Sequence, residues 1–322
     1  MRRLTPRPRV LVVYKKDAYQ QYVREQRDPH LLRLLHRRHP DLLDMQQAHQ
    51  VHEGAIEEVT RALRGLGVSF DLVYRADLKA KGSYDLIVSV GGDGTFLQAA
   101  RCAYQLPGGR SSHTSPRSSS RHPKRRNPTP ILGVNSDPSR SEAVFCAATQ
   151  YTFEAFCRLA LQSRLPVLRL YRLGLRVNGV PLALRALNDV LIVHDDPATM
   201  SRYRLRIGSR EEAQKSSGLW VSTAAGSSSA VLAAGGARLP WGVKRFQYRP
   251  REVYCGRLSR ARLTGSVLSD RTRVRITWLM RRGTAFIDGP HVRIPLTFAD
   301  EIEIFLSLSD PLSVLRAPSS SS

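Results

Sequence analysis

The strongest chemical signal in this chain is a glycine-rich turn that holds a single carboxylate. An apolar run that ends at Val90 leads into Gly91-Gly92-Asp93-Gly94-Thr95. Glycines let a ligand approach the backbone closely, and the N–H groups at the start of the following helix favour anions. We therefore predict a phosphate-binding turn in which Asp93 binds a metal, orients a sugar hydroxyl or takes up a proton. The alternative is an ordinary strand-to-helix connection with Asp93 as a turn residue or helix cap.

Three polar clusters follow later in the chain. Asn188-Asp189 places an amide beside a carboxylate, a pair that can bind the vicinal hydroxyls of a ribose but that also occurs in turns. The run from Thr223 to Ser227 predicts a second polar pocket floor of hydroxyls and free amides, with a serine-capped helix start as the alternative. Asp288 lies in an Asp-Gly hairpin turn, to which the pattern alone assigns no function.

The first 150 residues contain the elements that position the glycine turn. Strand-like runs such as Val10–Tyr14 and Ile131–Asn135 alternate with amphipathic helical stretches, which favours a parallel sheet covered by helices. Ligands bind beyond the carboxyl ends of the strands in such sheets. The glycine turn and the polar turn at Asn135 both lie at that edge. We therefore predict an α/β domain over residues 1–150 with a ligand site there.

The residues after the first domain predict a different architecture. From 151 to 310, short alternating runs are joined by turns such as Asn178-Gly179 and Asp288-Gly289, with few helices between them. This pattern is typical of a β-rich domain. Residues 311–322 end in four serines and are interpreted as a Ser-rich tail.

The formal net charge of +23 favours either nucleic-acid binding or a site for phosphorylated ligands. Part of the excess lies in residues 105–129, a basic run rich in serine and proline that we interpret as a disordered surface loop. No aromatic residue is interleaved there for stacking on bases. We therefore do not expect a nucleic-acid partner, and a basic nucleic-acid-binding module is the alternative from a different functional class.

Cysteine usage and hydropathy indicate the cellular location of the protein. The four cysteines are scattered without a Cys-x-x-Cys pair, which fits a reducing environment and supports neither a zinc site nor a disulfide framework. No apolar run reaches the roughly 18 to 20 residues of a membrane span. We expect a cytoplasmic protein without a membrane partner, with an organelle as the alternative location. His36 with His39, and His49 with His52, are interpreted as surface positions of helical stretches.

The order of these motifs resembles that of the NAD kinase family. Gly-Gly-Asp-Gly-Thr in a parallel sheet is followed by Asn-Asp, Thr-x-x-Gly-Ser and Asp-Gly, over a span from Val10 to Leu306. The runs 133–138 and 216–218 are most similar to the branch of plant NADH kinases and mitochondrial NAD kinases. Lipid kinases of the diacylglycerol and sphingosine type share the first motif and the two-domain plan. They are the nearest alternative enzyme, although they have no need for the polar run at 223–227.

The resemblance implies a fold and a reaction. The fold would be a Rossmann-like α/β domain with a β-rich, β-sandwich-like second domain. The reaction would be the transfer of the γ-phosphoryl group of ATP to the adenosine-ribose 2′-hydroxyl of NAD⁺ or NADH, which gives NADP(H). Mg²⁺ would be held mainly by the ATP phosphates. We also expect a homo-oligomer, a dimer or a tetramer.

The resemblance also assigns roles to individual residues. Asp93 would act as the general base or orient the acceptor hydroxyl. Asn188 and Asp189 would hold the adenosine ribose, and Asn135 and Asp288 are further candidates. The residues that would shape the phosphate-binding turn are Gly91, Gly92, Gly94 and Thr95, and those that would line the dinucleotide site are Ser217, Thr223, Ala225, Gly226 and Ser227.

The sequence departs from the family pattern at several positions. Most members carry Asn-Glu where this chain has Asn188-Asp189, and the aromatic residue that commonly follows the Gly-Ser pair is Ala230 here. Many relatives have an acid at the position of Ser217, near the nicotinamide half of the dinucleotide. A carboxylate there attracts the cationic ring of NAD⁺ but not the neutral ring of NADH. We therefore expect this chain to accept NADH well.

Overall fold

The computed structural model describes residues 8–78, 83–105, 129–257 and 260–317. The chain divides into two compact units, one made of Met1–Val167 with Ser313–Ser322 and the other of Leu168–Leu312. The division lies later than residue 150 because a helix at Phe153–Leu161 packs within the first unit. Most of the basic run 105–129, predicted to be a loop, lies outside the described residues.

The first unit is built on the parallel sheet that the sequence predicts. Its strand order is β2–β1–β3–β4, with the short β5 beside β4. All five positions of β3 are buried, which explains why four of its five residues are apolar. The strands are β1 (Arg9–Tyr14), β2 (Ser69–Tyr74), β3 (Leu86–Val90), β4 (Ile131–Asn135) and β5 (Ala148–Thr149).

Helices cover the strands of this sheet. Ala55, Val59 and Leu63 of the longest helix pack in one cluster with Val10 and Val12 of β1. This helix is one of the amphipathic stretches that the sequence predicts, and it begins at a proline that suits the first turn. The helices are α1 (Pro29–His36), α2 (Pro40–Gly65), α3 (Asp93–Gln105) and α4 (Phe153–Leu161), with a π-helix at Tyr19–Glu25 and a 3₁₀ turn at Arg75–Asp77.

Two histidines of α2 are buried, contrary to their interpretation as surface residues. His49 Nδ1 lies 2.8 Å from Asp17 Oδ2. His52 lies with Nδ1 2.9 Å from Ser136 Oγ and Nε2 2.9 Å from the Lys15 carbonyl oxygen. The interpretation was wrong because these residues continue the apolar stripe of α2 at helical spacing, and polar groups contact Nδ1 of His49 and both ring nitrogens of His52. His36 and His39 are exposed, as predicted.

The second unit is β-rich, as the sequence predicts. Its helical content is a 3₁₀ turn at Ala225–Ser228 and the short α5 (Ala230–Ala233) within the described residues. The strands are β6 (Val167–Val177), β7 (Val180–Ala186), β8 (Asp189–Val193), β9 (Ser201–Ile207), β10 (Arg210–Ser216), β11 (Gly218–Thr223), β12 (Arg245–Arg251), β13 (Ser266–Ser269), β14 (Val274–Trp278), β15 (Gly283–Ile287), β16 (Val292–Leu296) and β17 (Glu301–Leu315).

These strands form two layers around one core. One layer has the order β10–β9–β14–β17, with β6 beside β17 and β7 beside β6, and the other has the antiparallel order β13–β12–β11–β8–β15–β16. Tyr203 and Trp278 of the first layer pack in one apolar cluster with Val190 and Leu219 of the second. The arrangement is that of a β-sandwich.

The last strand differs from the interpretation of residues 311–322 as a tail. β17 continues to Leu315, and Leu312 and Val314 are fully buried. Val314 pairs in parallel with Ile131 of β4, so the end of the chain belongs to the first unit. Apolar side chains at alternate positions explain why this segment forms a strand in spite of its serines and proline.

We expect Leu63→Ala to lower the free energy of unfolding by about 2–5 kcal/mol, because it removes a fully buried side chain from the cluster beneath α2. Arg64→Ala, at an exposed position next to it, is the control and should change stability little. Urea denaturation followed by circular dichroism measures both. Equal stability of the two variants would contradict the packing described for α2.

Candidate functional site

The glycine turn connects β3 to α3 at the carboxyl edge of the parallel sheet. The Gly91 amide donates to the Val134 carbonyl oxygen at 3.0 Å, and Gly91 has a φ of +148°. A Cβ on Gly91 would lie 2.6 Å from Thr95 Oγ1. Only glycine fits both the backbone angle and the space, so the sequence of the turn is dictated by its geometry.

Asp93 is the first residue of α3 and is held by the backbone of another segment. Its Oδ1 accepts from the Phe145 amide at 2.9 Å, and its Oδ2 accepts from the Val144 amide at 3.2 Å. The carboxylate therefore lies at the positive end of the helix dipole and takes two further N–H donors. A carboxylate has about four lone-pair positions, so it keeps acceptor capacity for a proton, a hydroxyl or a cation.

Thr95 lies inside the turn. Its amide donates to the Gly92 carbonyl oxygen at 3.0 Å, which closes the first turn of the helix. The side chain is buried, and no described residue hydrogen-bonds to its Oγ1. A buried hydroxyl without a protein partner is unusual.

Asn135 ends β4 and shapes the next turn of the sheet edge. Its Nδ2 donates to the Ser141 carbonyl oxygen at 2.7 Å, and its Oδ1 accepts from the Asp137 amide at 3.1 Å. Both ends of the amide are thus used within the protein. Gly133, two residues earlier, is also constrained, because a Cβ there would lie 2.8 Å from the Cα of Cys146. This close packing fixes the segment whose amides hold Asp93.

In the second unit, Asp288 organises the Asn-Asp pair. Its Oδ1 accepts from the Asn188 amide at 2.7 Å and the Asp189 amide at 3.2 Å, and its Oδ2 accepts from the Leu187 amide at 2.9 Å. In return, the Asp288 amide donates to the Asp189 carbonyl oxygen at 3.0 Å. The Asp-Gly hairpin turn, to which the sequence pattern alone assigned no function, is therefore the support of the pair.

Asp189 is buried at the start of β8. Its Oδ2 accepts from Asn188 Nδ2 at 3.0 Å and from Ser229 Oγ at 3.3 Å. Burial, and then the neighbouring Asp288 carboxylate, raise the pKa of Asp189 to about 7. Ser229 contacts both members of the pair, since Asn188 Nδ2 also donates to its Oγ at 3.3 Å. Sequence reasoning did not assign a role to Ser229, although its place at the N-cap of α5 is a signal that it could have used.

The run from Thr223 to Ser227 packs directly on the Asn-Asp pair. Thr223 Oγ1 donates to the Leu187 carbonyl oxygen at 2.6 Å and accepts from the Gly226 amide at 3.0 Å. A Cβ on Gly226 would lie 2.2 Å from the Asn188 carbonyl oxygen, so this position requires glycine. The neighbouring Ala225 is buried as well. These residues hold the shape of the site.

Ser227 is turned into the protein. Its Oγ donates to the Ala224 carbonyl oxygen at 2.7 Å and accepts from the Leu239 amide at 2.8 Å. The hydroxyl that the sequence suggested as part of a pocket floor is therefore used in local hydrogen bonds. Its contribution is to fix the 3₁₀ turn that follows β11.

Ser217 lies apart from this cluster. It immediately precedes β11, whereas Thr223 ends that strand, so the length of a six-residue strand, about 20 Å, separates them. Ser217 is half-buried, and its amide donates to the Arg251 carbonyl oxygen at 2.9 Å. The structure thus brings Asn188, Asp189, Thr223 and Gly226 together and leaves Ser217 at the other end of β11.

The described residues contain neither a ready-made metal-binding cluster nor a membrane-spanning helix. No group of three or more His, Cys, Asp or Glu side chains in that part of the chain is arranged to hold a metal ion. No helix there is long and apolar enough to cross a membrane. All four cysteines are free thiols.

The raised pKa of Asp189 predicts a pH-dependent stability. Between the ordinary carboxyl pKa of 3.8 and about 7, the folded protein holds a proton that the unfolded chain releases. Stability from this group is therefore complete below the lower value and is lost as the pH rises through about 7. Asp189→Asn removes the titration. As the pH rises from about 5.5 to 8, the wild type should lose stability through this group and the variant should not. The difference in the free energy of unfolding should therefore shift in favour of the variant over this range.

Urea unfolding at the two pH values measures this difference. Asp77→Asn, a substitution at an exposed carboxylate, is the control and should keep the pH dependence of the wild type. Parallel curves for the wild type and Asp189→Asn across this range would contradict the prediction.

No family model matches the chain, but individual proteins do. A rice protein (Oryza sativa subsp. japonica) named "Probable NADH kinase" is 31% identical over 277 residues, which cover 79% of this chain and 78% of that protein. The crystal structure of an NAD kinase from Archaeoglobus fulgidus in complex with ATP is similar with a TM-score of 0.61 and 21% identity, over 96% of this chain and 93% of that chain. Yeast NADH kinase complexed with NADH gives a TM-score of 0.65 and 14% identity, over 98% and 85% of the two chains. These structures share the fold, and the identity to the rice protein along most of both sequences shows that the chain belongs to the NAD kinase family.

Proposed function

We propose that this protein is an NAD(H) kinase that transfers the γ-phosphoryl group of ATP to the adenosine-ribose 2′-hydroxyl of NAD⁺ or NADH. A new bond forms between the 2′-oxygen and the γ-phosphorus, and the bond from that phosphorus to the β,γ-bridging oxygen breaks. The products are NADP(H) and ADP. The proton of the 2′-hydroxyl passes to the Asp93 carboxylate and then to water.

The observation that carries the proposal is the fixed position of Asp93. The carboxylate stands at the N-terminus of α3, where phosphates bind, and the amides of Val144 and Phe145 prevent it from turning away. A carboxylate fixed beside an anion site suits the one step that needs a proton acceptor. Phosphoryl transfer otherwise depends on positioning and on charge neutralisation.

Mg²⁺ fits this arrangement as a partner of the nucleotide. Magnesium in kinases is bound by one or two carboxylates together with the substrate phosphates. Since Asp93 is assigned to the proton of the acceptor hydroxyl, the ion would be held mainly by the ATP phosphates. When bound with ATP, the ion would neutralise charge on the transferred phosphoryl group.

The Asn-Asp pair of the second unit is proposed to bind the acceptor ribose. Asn188 is half-buried and its amide can still accept a hydrogen bond, while Asp189 is held in place by its hydrogen bonds with Ser229 and Asp288. Amide and carboxyl groups side by side provide donors and acceptors for vicinal hydroxyls. Thr223 and Gly226 support the pair through the backbone of residues 187 and 188.

We also propose a cytoplasmic location, supported by the four free thiols. The homo-oligomer expected from the sequence stays a prediction. So does the binding of the dinucleotide by Ser217, Ala225 and Ser227.

We expect Asp93→Asn to lower kcat by about 10²- to 10⁴-fold, the usual contribution of a general base. The amide keeps the size of the side chain but cannot take up the proton. The measurement is ATP-dependent formation of NADP⁺ and NADPH from NAD⁺ and NADH, with far-UV circular dichroism to verify folding. Asp77→Asn, at an exposed position of the same unit, is the control. Full activity of Asp93→Asn would remove Asp93 from the chemistry, and activity on diacylglycerol instead of NAD(H) would favour a lipid kinase.

We expect the wild type to use NADH well, and Ser217→Asp to raise kcat/KM for NAD⁺ relative to NADH by about 10-fold. The introduced carboxylate attracts the cationic nicotinamide ring of NAD⁺ and has no such effect on NADH. Ser217→Asn, which is of similar size without the charge, is the control. A strong NAD⁺ preference that is the same in the wild type and in Ser217→Asp would contradict the assignment of this position to acceptor choice.

A further inference from the structure

Two cationic side chains leave the sheet at the same edge as the glycine turn. In the parallel register, Tyr14 of β1 aligns with Tyr74 of β2 and with Val90 of β3. The next residue of each strand is therefore at the same level: Lys15 after β1, Arg75 after β2 and Gly91 after β3. Since the strand order is β2–β1–β3, Lys15 comes from the strand between Arg75 and the turn.

Arg75 reaches the start of α3. A Cβ on Gly94 would lie 3.7 Å from Arg75 Nη1, so the guanidinium lies over the first helical turn. The amides of Asp93 and Gly94 have no intrahelical acceptor, because the first N–H groups of a helix never do. Arg75 is half-buried, and burial lowers its pKa, which means that its cation is partly withdrawn from water. An anion at this place would meet the guanidinium and the free amides together.

Lys15 is also half-buried and lacks a direct counter-ion. Burial is the largest influence on its pKa and lowers it, whereas the more distant Asp17 and Asp137 raise it. These two carboxylates are already engaged, Asp17 by His49 and Asp137 by Arg140. Within the described part of the chain, no carboxylate oxygen lies within 4.0 Å of the charged nitrogens of Lys15 or Arg75.

The neighbouring Lys16 shows the contrast. Its Nζ lies 2.8 Å from Glu25 Oε1, and the ammonium stands 4.9 Å from the ring centre of Tyr74. The charge of Lys16 is thus neutralised within the fold, whereas those of Lys15 and Arg75 are not. The two adjacent lysines therefore have different environments, and only the charge of Lys15 is available to a ligand.

A phosphate chain at the glycine turn needs such cations. Asp93 repels phosphate, and the buried Thr95 hydroxyl offers only a neutral contact. We propose that Lys15 and Arg75 bind the triphosphate chain of the nucleotide donor at the turn. Lys15 supplies a point charge, and the planar guanidinium of Arg75 can donate to two phosphate oxygens at once. This inference rests on the proposed kinase function for the identity of the ligand.

The test compares Lys15→Met and Arg75→Met with two control variants. The controls, Lys16→Met and Arg64→Met, remove cations that contact other side chains of the protein. Arg64 is exposed and its guanidinium lies 5.9 Å from the ring centre of Phe70. Three quantities are measured: the Kd of inorganic tripolyphosphate by calorimetry, the KM for ATP and the KM for NAD⁺. We expect Lys15→Met and Arg75→Met each to raise the Kd of tripolyphosphate and the KM for ATP by about 10- to 100-fold, the loss of a charged hydrogen bond. The KM for NAD⁺ and both control variants should change little.

The conservative variants Lys15→Arg and Arg75→Lys distinguish a loss of ligand binding from a loss of folding. Lys15→Arg should restore most of the affinity, and Arg75→Lys only part of it, because lysine lacks the two-pronged donor. Affinity that stays low in both conservative variants would overturn the proposal in favour of a structural role.

Four other outcomes are decisive. Binding of tripolyphosphate by the Met variants with wild-type affinity, or no binding by the wild type, overturns the proposal. A rise in the KM for NAD⁺ with an unchanged KM for ATP overturns it as well, since the cations would then serve the dinucleotide. A wild type without kinase activity whose tripolyphosphate binding still depends on Lys15 and Arg75 supports the phosphate site and contradicts the proposed function alone.

Discussion

Both candidate sites depend on one physical constraint, the stabilisation of a carboxylate by backbone N–H groups. Asp93 takes two amides from the segment at Val144, and Asp288 takes three from the segment at Asn188. A carboxylate removed from water is costly unless hydrogen bonds replace its hydration. Here the donors come from residues distant in sequence, so each acid also ties two segments together. The charge that chemistry requires and the rigidity that positioning requires come from the same contacts.

Close packing of backbone enforces this arrangement at the glycines. Gly91, Gly133 and Gly226 each occupy a place where a Cβ would collide with a neighbouring atom at less than 3.0 Å. Gly133 admits the segment that holds Asp93, and Gly226 admits the carbonyl of Asn188. The glycines therefore serve the chain's own packing as much as the approach of a ligand. A substitution at one of these glycines would therefore displace the neighbouring acid even in the absence of substrate.

The sequence predicted what depends on local pattern and missed what depends on distant contacts. The parallel sheet, α3 and the glycine turn follow from apolar runs and turn residues, and all are confirmed. The strand β10, with the sequence Arg-Glu-Glu-Ala-Gln-Lys-Ser, has no apolar run to reveal it and forms by pairing with β9 at the sheet edge. The burial of His52 and the support given by Asp288 depend on partners 84 and about 100 residues away. No local pattern carries that information.

The neutral form of Asp189 gives the Asn-Asp pair a property that a fully ionised acid would lack. With a pKa of about 7, the carboxyl is partly protonated near neutral pH and can donate a hydrogen bond as well as accept one. Ribose hydroxyls can also donate and accept, so a carboxyl of this kind can satisfy either arrangement. Burial is the main cause of the raised pKa, and the neighbouring Asp288 carboxylate adds to it, because two neighbouring carboxylates resist simultaneous ionisation. Asp288, which supports the backbone of the pair, therefore also contributes to the hydrogen-bonding character of Asp189.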